Sequence, residues 1–194
     1  MSVTYPVRVA LDAPLEVARW RPFFNWVLAI PHLIISNVLT NVTGIVVFIS
    51  WFAFLFTGKF PPGLFRFVAM SQRYQWRAVS HAIGLREPYP PFEFEMVSED
   101  PGADPARYAV DEPEVLSRGL IFIKWLLAFP HYVALFFVVI GAFFAWIIGA
   151  FAVLFTGAWP QGIRDFLVGT TRWGSRVTAY VYLMRDEYPP FSLD

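Results

Sequence analysis

Two histidines sit inside long stretches that carry no charge, and each directly follows a proline: Pro31-His32 and Pro130-His131. An imidazole at membrane depth must face protein or water and find a hydrogen-bond partner. Four readings are open to it. A structural polar contact is preferred, followed by a proton or ion pathway, contact with a lipid or quinone, and metal or haem ligation. Two histidines without carboxylate or thiolate company make a poor metal site, so neither a metal nor a cofactor is expected. The second chemically capable group is cationic. At 100° per residue, Arg66, Arg73 and Arg77 fall within roughly 40° of one another, and Arg172 and Arg176 recur later at the same spacing as the last two. Guanidinium groups on one helix face suit contact with lipid headgroup phosphates. A Gly-rich phosphate loop, an HExxH pair, a nucleophile elbow and a cysteine cluster are all missing from the sequence, which speaks against an enzyme.

The composition says what kind of chain must hold these residues. Of 194 residues, 57% are hydrophobic, 19% aromatic and only 15% charged, with net charge +0 and no cysteine. Soluble domains run near 25% charged, so this chain cannot clothe an ordinary water-facing surface. Disorder, a basic nucleic-acid footprint and a disulfide framework are excluded in the same stroke. Asp, Glu, Lys and Arg are absent for 37 residues between Arg21 and Lys59, and for 39 between Lys124 and Arg164. A membrane span needs roughly 20 apolar residues, so each tract is nearly two spans long. The N-terminus, with Asp12 and strand-like alternation, does not read as a cleaved signal peptide.

An internal duplication organises the chain. Shifting it by 99 positions aligns residues 5–95 with 104–194 without a gap, and 29 of the 91 pairs are identical. Pro31-His32 meets Pro130-His131, and Leu55-Phe56-Thr57-Gly58 meets Leu154-Phe155-Thr156-Gly157. Arg73, Arg77 and Arg86 meet Arg172, Arg176 and Arg185, and Tyr89-Pro90-Pro91-Phe92 meets Tyr188-Pro189-Pro190-Phe191. An unbroken offset through helices and loops means two copies of one set of elements. The first is placed at 1–99 and the second at 100–194, joined through the acidic, Pro/Gly-containing stretch 96–106. His81 meets Tyr180, so chemistry at His81 would belong to one copy alone.

The series Trp-x-x-Ala-x-Pro-His, LFTG, Arg-x-x-x-Arg, YPPF resembles the bacterial membrane family catalogued as domain of unknown function 4389, here in two tandem copies. Trp26, Pro31, His32, Thr57, Gly58, Arg73, Arg77, Tyr89 and Phe92 carry the resemblance in the first copy. Trp125, Pro130, His131, Thr156, Gly157, Arg172, Arg176, Tyr188 and Phe191 carry it in the second. The resemblance implies a bacterial cytoplasmic (inner) membrane setting and transfers no activity.

The expected fold is an all-α integral membrane protein with short extended segments at the repeat ends. Residues 3–11 and PFEFEM read as extended, with RYAV and FSLD at the equivalent places, and the two ends of each copy are candidates to pair. Each apolar tract admits two foldings. The preferred one is a hairpin, with spans at about 20–38 and 43–58 and again at 119–138 and 141–157, turning at the Asn, Thr and Gly of residues 37–44. The other is an interfacial helix ending at Pro31, followed by one long span. In the preferred folding, Pro31 kinks its helix and frees the Val27 carbonyl. Amphipathic interfacial helices at 64–85 and 162–184 complete the repeats. Flanking Lys and Arg place both termini in the cytoplasm, whereas three spans per copy would invert the second. The favoured function is a non-catalytic accessory or scaffold subunit, with an integral membrane protein partner or a homo-oligomer and with membrane lipids as its surroundings. A small oligomeric transporter or channel, and a lipid- or quinone-binding protein, are the alternatives.

Overall fold

The computed structural model describes residues 5–194. The chain is mostly helical. In order it forms β1 (Val7–Leu11), α1 (Arg21–Leu28), α2 (Ile30–Thr57), α3 (Pro62–Ala82), β2 (Ala106–Val110), a short 3-10 turn (Leu120–Phe122), α4 (Lys124–Leu127), α5 (Phe129–Thr156) and α6 (Gln161–Val181). Residues 3 and 4 of the expected first extended segment lie outside the described residues.

The hairpins are corrected. α2 and α5 each run 28 residues without a break, and each is long and apolar enough to cross a membrane. The polar cluster at residues 37–44 does not turn the chain because the helix absorbs it. Thr40 Oγ1 donates to Ser36 O at 2.8 Å, Asn41 Nδ2 to Asn37 O at 2.7 Å, and Thr43 Oγ1 to Ser71 Oγ on α3 at 2.8 Å. The real break comes at Ala29 and Ala128, just before the prolines. There α1 gives way to α2 and α4 to α5, and proline occupies the first turn, where a missing N–H costs least. The LFTG motif ends both long helices. Gly58 and Gly157 take the left-handed conformation (φ 72° and 81°), and their N–H groups close on Phe54 O and Val153 O at 2.7 and 2.8 Å.

α3 and α6 fall where interfacial helices were expected, but they are not surface helices. Phe65, Val68, Ala69, Met70, Tyr74, Trp76 and Ala78 of α3 are all buried, and so are Leu167, Val168, Trp173, Val177 and Tyr180 of α6. Each helix is sandwiched, α3 between α2 and β2, α6 between α5 and β1. The apolar surface lies on other elements. Ile34, Val38, Ile45, Phe48, Phe52 and Phe56 of α2 are exposed, as are Phe136, Phe137, Phe143, Phe144, Ile148 and Phe155 of α5.

Strand pairing is also corrected. PFEFEM and FSLD are not strands, and among the described residues the two ends of one copy do not pair. Instead β1 pairs antiparallel with β2, the equivalent segment of the other copy, with Val9 opposite Tyr108. Those two residues hold the same position in their repeats, so an approximate two-fold axis passes between them. Each copy lends its strand to the other: β1 packs on α6 and β2 on α3.

Candidate functional site

His32 and His131 are fully buried at the start of the long helices, and each is enclosed by rings from two other elements. In the first repeat, His32 Nδ1 lies 2.7 Å from the Tyr74 hydroxyl of α3. Phe92 stacks on the imidazole, with centroids 4.2 Å apart and planes 19° apart, and Tyr89 stands edge-on at 4.8 Å. The Tyr89 hydroxyl donates to Leu28 O, at the α1–α2 break, at 3.3 Å. The second repeat repeats the plan. Trp173 Nε1–H donates to His131 Nδ1 at 3.1 Å, Phe191 stacks at 3.9 Å and 16°, and Tyr188 lies at 4.8 Å. Tyr188 donates to Leu127 O at 3.1 Å. The YPPF motif is thus the wall that seals the Pro-His motif, and its two aromatic residues do the sealing.

The partners fix the proton. An indole N–H can only donate, so His131 Nδ1 is unprotonated and the ring is the neutral tautomer with hydrogen on Nε2. An imidazolium would point one N–H at another. Tyr74 can donate or accept; burial pushes its phenol up to about 12, so it keeps its proton at neutral pH. The Nε2 atoms of His32 and His131 are buried without a hydrogen-bond partner among the described residues.

The sequence model of the family described as "Domain of unknown function (DUF4389)" matches this chain twice, at residues 19–93 and 118–192. The chain belongs to the DUF4389 family. Compared with curated proteins and with solved structures, it has no match. Each DUF4389 match runs from just before α1 or α4, through one His cage, to the YPPF segment, so each contains a complete cage.

Three of the five arginines expected at lipid headgroups, Arg73, Arg77 and Arg176, are buried against protein. Arg73 and Arg77 are 2% exposed, with their guanidinium groups held by protein. Arg73 donates to the carbonyls of Glu95, Val97 and Glu99, gripping the 95–99 segment. Arg77 pairs with Glu93 at 2.7 Å and Asp100 at 3.2 Å, and Arg86 Nη1 holds both Asp104 oxygens at 2.7 Å. Arg176 is buried over the Tyr5 ring at 5.3 Å, and Arg172 donates to Val9 O and Leu193 O. Arg66 alone of the five is substantially exposed, and it pairs with Glu112 at 2.7 Å. The helical wheel grouped Arg66, Arg73 and Arg77 correctly but could not say what they face.

Two further buried polar groups, Asn25 and Lys124, escaped the sequence reading, and His81, noted there as peculiar to one copy, is buried with Asn25. Asn25 Nδ2 donates to His81 O at 3.0 Å, and His81 Nδ1–H donates to Pro88 O at 3.1 Å. Burial holds the His81 imidazole down to about 4, so it is neutral at pH 7. In the second repeat Lys124 takes the place of Asn25. Its ammonium meets Asp186 at 2.7 Å and Arg185 O at 2.6 Å, and lies 4.9 Å from the Tyr180 ring. Desolvation pulls Lys124 down and Asp186 opposes it. The available signal was the repeat offset itself, which aligns Asn25 with Lys124 and His81 with Tyr180. Among the described residues, no group of three or more His, Asp or Glu is placed to hold a metal ion.

Proposed function

We propose that this DUF4389 protein is a non-catalytic, membrane-embedded scaffold subunit of a bacterial membrane, presenting its apolar helices to lipid and to an integral membrane partner. One observation carries the reading. The side chains best able to do chemistry, His32 and His131, are sealed by the same aromatic pair and anchored through Nδ1 in both repeats. Catalysis needs a reacting group within reach of its substrate, whereas these groups are spent on holding α2, α3 and the YPPF segment together. The exposed apolar length of α2 and α5 supports the membrane setting.

The test is purification of the intact chain in a gentle detergent, as wild type and with His32→Gln plus His131→Gln or His32→Leu plus His131→Leu. Glutamine retains hydrogen-bonding capacity at the cage, and leucine does not. The expected result is a stoichiometric integral membrane partner, kept by the Gln variant and lost by the Leu variant. A chain that purifies alone and moves protons or solute across sealed vesicles, with that flux abolished by the Gln variant, contradicts the proposal.

A further inference from the structure

The packing at the helix ends fixes how α2 and α5 run relative to each other. Val17 N–H donates to Gly157 O at 3.0 Å, Trp159 N–H to Leu15 O at 2.9 Å, and the Phe23 and Phe151 rings lie 5.9 Å apart. The end of α5 therefore sits beside α1, where α2 begins. At the other end, Trp51 of α2 meets Phe122, just before α4, which leads into α5, at 5.6 Å. The chain thus closes a head-to-tail ring, α1–α2–α4–α5, around the two-fold axis. A two-fold leaves components along its axis unchanged, so such a ring closes only if α2 and α5 lie largely across the axis, running in opposite directions.

The ribbon stands on that axis at mid-length of the helices. Thr43 bonds Ser71, joining the middle of α2 to the middle of α3. Arg77 Nε then reaches Ala106 O at 3.4 Å, Trp76 Nε1 reaches Ala10 O at 3.1 Å, and Arg172 Nε, midway along α6, reaches Val9 O at 3.0 Å. On α3, Ser71, Tyr74 and Gln75, which bond α2, lie on the side away from Arg73, Trp76 and Arg77, which bond the ribbon and its loop. The order of layers is α2 and α5, then α3 and α6, then ribbon. The ribbon and its loop are charged and open: the side chains of Arg8, Glu99, Arg107 and Asp12 are 41, 68, 50 and 54% exposed.

If α2 and α5 crossed a bilayer, the axis would lie in the membrane plane and these four charges would face lipid near its middle, the depth least tolerant of them. A 28-residue helix is also about 42 Å long against a hydrocarbon core of about 30 Å. We infer that the protein is monotopic: α1, α2, α4 and α5 lie in the plane of one leaflet with their exposed apolar faces among the acyl chains, and the charged ribbon points into the water. The two fully uncharged tracts are then the embedded layer. Asn37 and Asn41 on the exposed face of α2 are partly satisfied by their own contact, Asn41 Nδ2 to Asn37 O. The inference rests on the membrane part of the proposed function and is independent of any partner, since a scaffold without a partner would give the same depths.

The chain has no cysteine, so single probes can be placed without background. Ile34→Cys, Ile45→Cys and Phe56→Cys sample the start, middle and end of the exposed face of α2, Phe136→Cys samples α5, and Arg107→Cys samples the ribbon. Each full-length variant, labelled with a depth-sensitive fluorophore, is reconstituted in phosphatidylcholine–phosphatidylglycerol vesicles and quenched by lipids brominated at different acyl positions. The expected result is quenching at Ile34, Ile45, Phe56 and Phe136 that peaks for the same shallow bromine position, with the Arg107 site open to a water-soluble quencher. Ile45 deepest, with Ile34 and Phe56 near opposite surfaces, would overturn the inference in favour of spanning helices. Access of the water-soluble quencher to all five sites would overturn it as well.

Discussion

The two repeats share a frame and differ in how they neutralise the polar groups buried in it. In the first, the guanidinium groups of Arg77 and Arg86 meet Glu93, Asp100 and Asp104. In the second, Tyr5 stands where Asp104 stands in the first, and Arg176 lies over its ring. Tyr74 serves His32 where Trp173 serves His131, and the Asn25–His81 contact is replaced by Lys124 against Asp186 and Tyr180. The features common to both copies are thus geometric: the proline at the helix start, the stacked Phe, and the Tyr bonded to the carbonyl at the break. The partners chosen to satisfy each polar group are free to change. That pattern is expected when the imidazoles hold the fold together, because any partner of the right reach suffices.

The sharpest break between the repeats should come from the ion network. Removing one member of a buried pair strands the other and costs about 3–5 kcal/mol. Asp104→Leu, which abandons Arg86 at 0% exposure, should therefore lower the thermal unfolding midpoint far more than Tyr5→Leu. The latter loses chiefly a cation–π contact of about 1–2 kcal/mol. Equal midpoints for the two variants would erase the distinction between a charged and an aromatic solution.

Acid should separate the repeats next. His81 is held down to about 4 by burial, while in the unfolded chain it takes up its proton near pH 6.5. The unfolded state therefore binds more protons in between. The stability contributed by neutral His81 is complete above about pH 6.5, falls as pH drops toward 4, and levels off below, a loss of up to about 3 kcal/mol. His81→Tyr, which copies the second repeat, should flatten that part of the profile when unfolding is followed from pH 7 to pH 4.

A smaller effect compares the cage donors. Tyr74→Phe leaves His32 Nδ1 without its partner at a cost of about 1–3 kcal/mol. Tyr74→Trp imports the donor type of the second repeat and should recover part of the midpoint if the bond, rather than the tyrosine itself, is what matters. A Trp variant no better than Phe would mean that ring shape decides.

Much of this was legible in sequence, and the failures share one cause. The 99-residue offset announces the duplication through an unbroken register, whereas Pro31, expected to kink the middle of a helix, stands in the first turn of α2. The turn expected at residues 37–44 failed because Thr40 and Asn41 bond carbonyls four residues back and Thr43 bonds Ser71. A run of turn-forming residues is also compatible with a helix that satisfies them. Arg73, Arg77 and Arg176 were assigned to lipid because a helical wheel gives their direction and not what lies there. The exchange of β1 and β2 between repeats is a long-range choice that neither strand's local pattern encodes, and it brings Ala106 O to Arg77 and Val9 O to Arg172.

The neutral, donor-anchored imidazole is the point on which the structural reading of the Pro-His motif stands. It can be observed directly from the imidazole nitrogen chemical shifts of His131 in the intact protein, labelled with ¹⁵N at histidine and held in lipid at pH 7, with Trp173→Phe as reference. The predicted spectrum shows Nδ1 unprotonated and hydrogen-bonded, Nε2 protonated, and an Nδ1 shift that moves when Trp173 is replaced. An imidazolium, or an Nδ1 indifferent to Trp173, would contradict it.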